Sequence, residues 1–482
     1  MSTPEATTPT RSVGSSSREV DWLGFAVTVL VGAVGGTLGA SLAAESTGTY
    51  ALLGALFGSF GFAALRGRRL DAGAGLIWGL GGGLFLWFLL ASAGEASRLA
   101  GHASLSMIGD IRALIPELFA CVLCIGAPVG VTLGMRGAAV RGRARFHVAR
   151  AVVAGGSAGV ASALIFSRWM YEGDFFPLIA GFGTVDSHVA SVLLHIATAC
   201  LIGCTFGVLF QNDVSNLGSS MGWGVAYAIF WWILGPMTVF PAAYGQRPDW
   251  SAGHASELFG PLVGYIFYGL ILGVVYSGAN TVWTRLFVDS DPLNRKREGP
   301  GLHLLQSLGW GSAAGFLGGL IALPLMIQTG VITKLAGLEG DTPLALGVLL
   351  HLMASTAIGA SYGILFRGEA TDGMSCSLWG CVLGLIAWYA GPLTLMPLLR
   401  TGQCDWRPEA AAALLPILVS HLLFGLITAN VFSAFERSRR RASPIVRHPS
   451  VEDAVDETDM RPTAPLGLFV LGMGLLLPIL LG

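Results

Sequence analysis

Two histidines stand inside long apolar segments of this sequence. His195 lies in VLLHIATACLIGCTFGVLF at 192–210, and His351 lies in VLLHLMASTAIGASYGILF at 348–366. An ionisable side chain inside a membrane is costly, which makes each histidine a functional candidate by default. The functional interpretations are a proton relay, a metal ligand or a haem ligand. The structural alternative is a neutral imidazole hydrogen-bonded to a backbone carbonyl between two helices.

A third histidine extends this set. His421 falls near the middle of a later apolar segment, at a predicted depth similar to that of His351. A haem or a metal ion would need such a pair at one depth. We therefore keep His351, His421 and His195 as metal or haem candidates, while a protein without any cofactor is the leading expectation.

Acidic residues cluster where other apolar segments begin. Glu117 and Glu257 each stand in a Glu-Leu-Phe sequence, and His254 lies close to Glu257. This cluster would gather cations or protons at an outer vestibule, although carboxylates also favour helix N-termini. Asp249 and Asp405 each precede a tryptophan, and we expect turn or cap residues there, with the indole ring in the interfacial aromatic belt.

The composition shows where these residues must be positioned. Hydrophobic residues make up 53% of the chain and charged residues 12%, with a mean hydropathy of +0.67. A soluble domain carries about 25% charged residues, so this chain cannot cover a water-facing surface. A net charge of −1, without a basic stripe among aromatic residues, argues against a nucleic-acid partner. The sequence contains no nucleotide-binding loop, no HExxH and no Gly-x-Ser-x-Gly motif, so we do not expect an enzyme.

Long apolar runs predict an all-α polytopic membrane protein of about thirteen transmembrane helices. The predicted spans lie near 25–43, 50–66, 73–92, 114–134, 151–170, 189–210, 219–240, 257–278, 307–333, 345–366, 375–397, 410–433 and 465–481. The lipid bilayer is thus the first predicted partner, and a small solute or an ion is the second. The sequence does not identify protein partners.

An internal repeat organises these spans. Residues 150–280 and 306–434 align without a gap over most of their length, and the two histidine segments share nine of nineteen residues. Trp223 and Trp232 match Trp379 and Trp388. A more diverged copy precedes them, in which Trp78 and Trp87 keep this spacing and Tyr50 takes the place of the histidine. The sequence predicts three tandem four-helix units followed by a tail helix.

The predicted boundaries follow from the repeat. They are a disordered cytoplasmic N-terminus at 1–23, unit one at 24–148, unit two at 149–280, a cytoplasmic linker at 281–305, unit three at 306–434, a charged cytoplasmic linker at 435–463 and a tail transmembrane helix at 464–482. Four helices per unit make the copies parallel, which excludes an inverted repeat. A pseudo-threefold ring is the simplest closed arrangement, and a crevice on its axis would be a natural solute path.

Basic residues predict the orientation. Most of the 28 Lys and Arg residues fall at the N-terminus, in the loops after even-numbered helices or in the linker before the tail, among them Arg66, Arg68 and Arg69. The positive-inside rule assigns this side to the cytoplasm. We expect a cytoplasmic N-terminus and an external C-terminus.

The four-helix unit resembles the YagU-like family of bacterial inner-membrane proteins. The resemblance rests on a histidine in the second helix with a tyrosine eleven residues later, as His351 and Tyr362 stand in unit three, and on the sequence Ser256-Glu257-Leu258-Phe259-Gly260 in unit two. Unit two has Phe206 at the tyrosine position. The resemblance implies a bacterial inner-membrane location and a link to acid tolerance.

Three functional hypotheses follow. The first is a small-solute, ion or proton translocator with an outer vestibule near Glu257, His195 and His351. Glu117, His254, Asp249, Asp405 and Tyr362 are further candidates for its substrate or proton pathway. The second hypothesis is a haem- or metal-binding redox subunit. The third is a non-transporting membrane scaffold, whose partners the basic loops and the tail helix would hold.

Overall fold

The computed structural model of the protein describes residues 21–65, 70–100, 111–140, 148–172, 188–211, 217–243, 245–287, 300–336, 344–366, 373–442 and 463–482. These residues are helical apart from short turns, and they contain no β-strand. The N-terminal segment to residue 20 and most of the arginine-rich loops, whose disorder or orientation the sequence predicts, lie outside the described residues.

Thirteen long helices account for the described chain. They are α1 (Trp22–Ala43), α2 (Thr47–Leu65), α3 (Ala72–Ala100), α4 (Ile115–Phe119, Ala120–Gly126 and Ala127–Val140 in succession), α5 (Val148–Glu172), α6 (His188–Phe210), α7 (Leu217–Leu234, Gly235–Val239 and Phe240–Ala243), α8 (Phe259–Phe287), α9 (Pro300–Gln328), α10 (Leu344–Leu365), α11 (Gly373–Ala390, Gly391–Leu395 and Met396–Thr401), α12 (Leu415–Ala442) and α13 (Thr463–Leu481). All thirteen contain a segment long and apolar enough to cross a membrane, which confirms the predicted all-α multi-pass membrane protein.

Helices extend into the predicted linkers. α8 runs to Phe287 and α9 begins at Pro300, so the segment 281–305 is helical at both ends. α12 continues to Ala442, inside the predicted linker 435–463. α1 begins at Trp22, and the preceding Asp21 side chain caps it by accepting a hydrogen bond from the Gly24 backbone N–H at 2.9 Å. Hydropathy underestimates these helices because backbone hydrogen bonds continue past the apolar segment into charged sequence.

The helices pack in the same order in each sequence unit. The first helix contacts the second and the fourth, and the third contacts the fourth; the pairs are α1/α2, α1/α4 and α3/α4, then α5/α6, α5/α8 and α7/α8, then α9/α10, α9/α12 and α11/α12. The second helices are the least buried, and Leu52, Leu56 and Phe60 of α2 are exposed. This surface faces lipid. The division into three units itself stays a prediction.

Glycines form the seams between first and second helices. An added Cβ would collide with a backbone carbonyl of the partner helix at Gly32 (carbonyl of Gly54), Gly155 (carbonyl of Gly203) and Gly311 (carbonyl of Gly359). Lipid tails are as apolar as leucine, so close backbone packing rather than the hydrophobic effect holds such pairs together.

The third and fourth helices share a recurrent hydrogen bond. The indole N–H groups of Trp87, Trp232 and Trp388 donate to the carbonyls of Leu114 (2.9 Å), Leu258 (2.9 Å) and Leu414 (3.0 Å). Each acceptor lies just before the first residue of the fourth helix. A buried indole N–H needs an acceptor, and each of these carbonyls accepts it in addition to a backbone N–H from the first turn of the fourth helix.

Two third helices are locally widened at their Gly-Pro pairs. Gly235–Val239 in α7 and Gly391–Leu395 in α11 are π-helical. Proline removes a backbone donor and frees a carbonyl. A threonine hydroxyl donates to a backbone carbonyl in each widened turn. Thr394 donates to the Tyr389 carbonyl at 2.7 Å in α11, and Thr238 donates to the Ile233 carbonyl at 2.8 Å in α7.

The tryptophans of the two Asp-Trp pairs do not lie where the sequence predicts, in an exposed interfacial belt. Trp250 and Trp406 are buried in the protein rather than exposed in an interfacial belt. Their indole N–H groups donate to the hydroxyls of Thr238 (3.1 Å) and Thr394 (3.0 Å). The widened turn brings a hydroxyl acceptor to the indole, which makes burial of the ring favourable.

The tail helix occupies the centre of the assembly. α13 contacts α3, α7 and α11, which are the third helices of the three sequence units. Its buried residues are mostly apolar and include Phe469, Val470 and Met473. The Ser256 hydroxyl also donates to the Leu481 carbonyl at 3.0 Å near the helix end. The space between the third helices, where the sequence suggested an axial solute path, therefore holds a packed apolar helix.

Candidate functional site

The histidines of α6 and α10 each interact with the backbone of the first helix of their unit. His351 is 6% exposed, and its Nε2 lies 3.1 Å from the carbonyl oxygen of Gly319 in α9. The His195 ring is hydrogen-bonded to the backbone of Ala163 in α5, the position that aligns with Gly319. Each imidazole thus links a second helix to a first helix. This is the geometry of the structural alternative.

The geometry at unit three adds a second ring. The Nδ1 of His421 lies 2.9 Å from the carbonyl oxygen of Ile417 in its own helix, α12, and the ring interacts electrostatically with His351. A carbonyl oxygen only accepts hydrogen bonds, so the nitrogen facing it carries the proton in both rings. In the neutral form the second nitrogen of each ring then keeps a lone pair. Two basic nitrogens therefore belong to neighbouring side chains inside the membrane.

His421 is half-buried and forms a row on α12 with buried polar residues. Ser420, Thr428 and Glu436 are 0%, 0% and 5% exposed. From Ser420 to Glu436 the helix rises about 24 Å, most of the thickness of a hydrocarbon core of about 30 Å.

Two residues of the polar row face α9, the first helix of the unit. The Ser420 hydroxyl lies 3.4 Å from the Thr329 hydroxyl, which directly follows α9. A Cβ on Gly318 of α9 would collide with the Thr428 hydroxyl. Among the described residues that hydroxyl has no hydrogen-bond partner. Ser420 and Thr428 thus lie at the contact between α9 and α12.

Unit two lacks three of the four residues of this row, since only Glu436 aligns with a polar side chain that could take its place, that of Asn280. The residues that align with Ser420, His421 and Thr428 are Gly264, Tyr265 and Leu272. Sequence reasoning identified His421 and missed the others. The available signal was the spacing of polar residues within the otherwise apolar segment at 415–438, and the comparison with unit two.

Unit one carries a different polar contact. Tyr50, which takes the histidine position, is buried and hydrogen-bonded to the half-buried carboxylate of Glu117 in α4. Glu45 lies near enough to interact electrostatically with that carboxylate. A tyrosine–carboxylate pair replaces the histidine–carbonyl contact of the other units.

The acidic candidates occupy different places. Glu117 lies in the first turn of α4, whereas Glu257 ends the short helix Ala252–Glu257. The Glu257 side chain is 78% exposed and lies 3.4 Å from Nδ1 of His254. The structure thus places this pair at the surface, while His195 and His351 contact interior carbonyls of two different units.

The aspartates act on local structure. Asp249 accepts a hydrogen bond from the Ser251 backbone N–H at 2.9 Å, and this bond holds the pKa of Asp249 below its ordinary value. Arg407 donates to both oxygens of Asp405 at 2.8 and 2.9 Å and likewise lowers the pKa of that carboxyl. Both residues fit the predicted role in turns.

Tyr362 belongs to the aromatic core. Its ring stacks on Phe366 and meets Phe432 edge-to-face, and its hydroxyl donates to the Cys376 carbonyl at 3.5 Å. The residue is fully buried. These contacts give Tyr362 a packing role in the core of unit three.

Comparisons with protein families, curated proteins and solved structures find no match to this chain. The resemblance to the YagU-like family therefore stays a prediction. Any function has to be argued from the residues of the chain itself.

Proposed function

We propose that the protein is a membrane translocator that conducts protons, alone or together with a small solute, through unit three. The observation that carries this proposal is the row Ser420, His421, Thr428 and Glu436 on α12, with His351 beside it. Chains of ionisable and hydroxyl side chains buried in membrane proteins are the usual material of proton relays.

The free-energy cost of burying polar side chains in the membrane supports a functional role for the row. A hydroxyl without a hydrogen bond in an apolar environment is unfavourable by roughly 1–3 kcal/mol, and Thr428 is in that position among the described residues. A transient water would relieve this cost and link Thr428 to its polar neighbours. The neutral histidines carry both a donor and an acceptor nitrogen, as proton transfer along such a chain requires.

The row gives the path a direction. Under the positive-inside prediction, Ser420 lies towards the outside and Glu436 towards the cytoplasm. We also propose, from the same rule and from the YagU-like resemblance, that the membrane is a bacterial inner membrane. The packed α13 moves the proposed path away from the central axis.

Proton flux in proteoliposomes tests the proposal. The purified chain is reconstituted with an internal pH-sensitive dye, and a potassium gradient with valinomycin provides the driving force. We expect flux above that of protein-free liposomes, and its loss in His421→Tyr and Thr428→Val. Tyrosine stands at the aligned position of unit two, and valine has the shape of threonine, so both variants should fold.

Thr356→Val is the matched control, because the Thr356 hydroxyl donates only to the Leu352 carbonyl of its own helix at 2.7 Å. Its flux should equal that of the parent chain. Parent flux at the protein-free level, or unchanged flux in both test variants, would reject the proposed path.

A metal site is the second candidate. The pair His351 and His421 offers two lone pairs, but the described residues contain no group of three His, Cys, Asp or Glu side chains placed for a metal ion. Metal analysis and absorption spectra of the oxidised and reduced protein decide this. Stoichiometric metal or a haem spectrum that disappears in the His351→Gln variant would make the redox function the leading one.

A further inference from the structure

Unit one contains an apolar cavity of about 300 Å³ within its membrane-spanning part. Residues of α2, α3, α4 and the beginning of α13 line it, among them Phe57, Phe60, Trp78, Leu133 and Pro465. No lining side chain carries a charge or a hydroxyl group.

The cavity lies where the other two units have aromatic side chains. In unit two, Phe206 and Phe210 of α6 pack on each other and on Tyr227 of α7. In unit three, Tyr362 and Phe366 of α10 take these places. The spacing that aligns Tyr50 with His195 and Trp78 with Trp223 places Gly61 and Leu65 opposite Phe206 and Phe210, and Gly82 opposite Tyr227.

The missing rings leave a space that this chain does not fill. Gly61, Leu65 and Gly82 all line the cavity. Protein interiors pack as densely as organic crystals, with few voids larger than a water molecule. Water needs two to four polar partners to occupy a void, and the lining side chains offer one, the indole N–H of Trp78. An apolar molecule is the remaining occupant.

The position of the cavity identifies that molecule. Phe60 and Phe85, at its edge, are 71% and 52% exposed, and Leu56 of the same lipid-facing helix is 57% exposed. The cavity is therefore continuous with the surface that touches the hydrocarbon core. We propose that it binds one acyl chain of a membrane lipid between α2 and α3. The chain supplies the packing that aromatic rings supply in units two and three.

Photo-crosslinking tests this proposal on the full chain. The protein is reconstituted in liposomes of phosphatidylethanolamine and phosphatidylglycerol, with a small fraction of phospholipid carrying a diazirine near the end of one acyl chain. After irradiation, adducts are mapped by mass spectrometry. We expect labelling of Trp78 and Phe57 above that of Leu52, which is exposed on α2 and does not line the cavity.

Filling the cavity supplies the decisive comparison. Gly61→Phe with Leu65→Phe reproduces Phe206 and Phe210 of unit two, and a Cβ on Gly61 meets only ends of Leu133 and Val129 side chains, at 3.3 and 3.8 Å. This variant should reduce labelling of Trp78 to the level of Leu52. The control Leu56→Phe adds an aromatic ring on the exposed face of the same helix and should leave the labelling unchanged. Equal labelling of Trp78 in the parent and the filled variant overturns the proposal.

A second measurement needs no variant. Native mass spectrometry of the parent chain from mild detergent should show a retained phospholipid, which a shorter-chain lipid added in excess displaces. Complete absence of bound lipid, or binding of detergent alone, contradicts the acyl-chain site. This keeps the proposal testable if the filled variant does not fold.

Discussion

Many polar side chains inside the membrane are satisfied by a backbone carbonyl of another helix. His351 reaches Gly319, the Tyr268 hydroxyl donates to Ala199 at 2.7 Å, and the Ser220 hydroxyl donates to Gly273 at 2.6 Å. Helix carbonyls keep a second lone pair for such donors. An intramembrane polar residue in one sequence therefore does not by itself separate function from packing.

The recurrent tryptophan bond gives a prediction for a single residue. Trp388→Phe keeps most of the ring and removes the donor to the Leu414 carbonyl. We expect a loss of about 1 kcal/mol in the free energy of unfolding, because one buried hydrogen bond is lost while the Leu414 carbonyl keeps its bonds from the backbone N–H groups of Ile417 and Leu418. Thermal unfolding in detergent measures it. Trp310→Phe, whose parent ring is 39% exposed, should shift the melting temperature less; equal shifts would refute the role of the bond.

The Asp405–Arg407 pair predicts a pH dependence. The folded state lowers the pKa of Asp405, so the pair stabilises the protein above the unfolded value of about 4 and loses this effect as the pH falls through the folded-state pKa. The parent should therefore exceed Asp405→Asn in stability at pH 7, by at most about 1 kcal/mol for an exposed pair, and the difference should close towards pH 3. Unfolding at fixed ionic strength measures it, and a difference constant from pH 7 to pH 3 would contradict the assignment.

At the scale of helices, close glycine packing determines which surfaces meet. A Cβ at Gly311 would collide with the Gly359 carbonyl of α10, whereas nothing lies within 4 Å of a Cβ at Gly309, two residues earlier on α9. Only the side of α9 that carries Gly311 thus packs closely against α10, and the side that carries Gly309 does not.

These two glycines make a matched pair. Gly311→Ala should lower stability by more than about 1 kcal/mol, since the helices must separate. Gly309→Ala should be neutral or stabilising by up to about 1 kcal/mol, because alanine favours a helix over glycine. Melting temperatures of both variants in one detergent test this. A loss at Gly309 as large as that at Gly311 would show that the seam does not matter.

The π-helical turn of α11 gives a second prediction at this scale. Thr394→Val keeps the shape of the side chain but loses the donor to Tyr389 and the acceptor for Trp406. We expect a loss of about 1–3 kcal/mol, because a freed carbonyl and a buried indole N–H both lose their partners. Thr356→Val removes only a bond within its own helix and is the control. Similar melting temperatures for the two variants would argue against a stabilising role of the threonine in the turn.

At the scale of the whole molecule, α13 joins the three sequence units. It contacts one third helix of each, and Phe469 at its buried face is 0% exposed. Phe469→Ala should cost about 3–5 kcal/mol, as expected for a large buried aromatic side chain. Ile479→Ala, whose parent side chain is 42% exposed, should cost much less. Size-exclusion profiles and melting temperatures measure both, and equal effects would mean that the helix is peripheral.

The sequence predicts the three units but not the position of the tail helix α13. The match of Trp78, Trp223 and Trp379 predicts three units, and their even helix count predicts parallel copies. The position of α13 was not predictable, because an apolar helix of its length fits the lipid and the protein interior equally well. Only the contacts with α3, α7 and α11 distinguish these environments.

The sequence by itself determined the thirteen spans and placed His195, His351 and His421 inside them, because hydropathy over about 20 residues is a local property. It did not determine what surrounds each polar side chain. The contact of His351 with Gly319, the proximity of His421 to His351, the burial of Trp406 and the cavity beside Gly61 all join residues that are distant in the chain. Such contacts depend on which helix faces pack together, and glycine seams and widened turns decide this only in the folded protein.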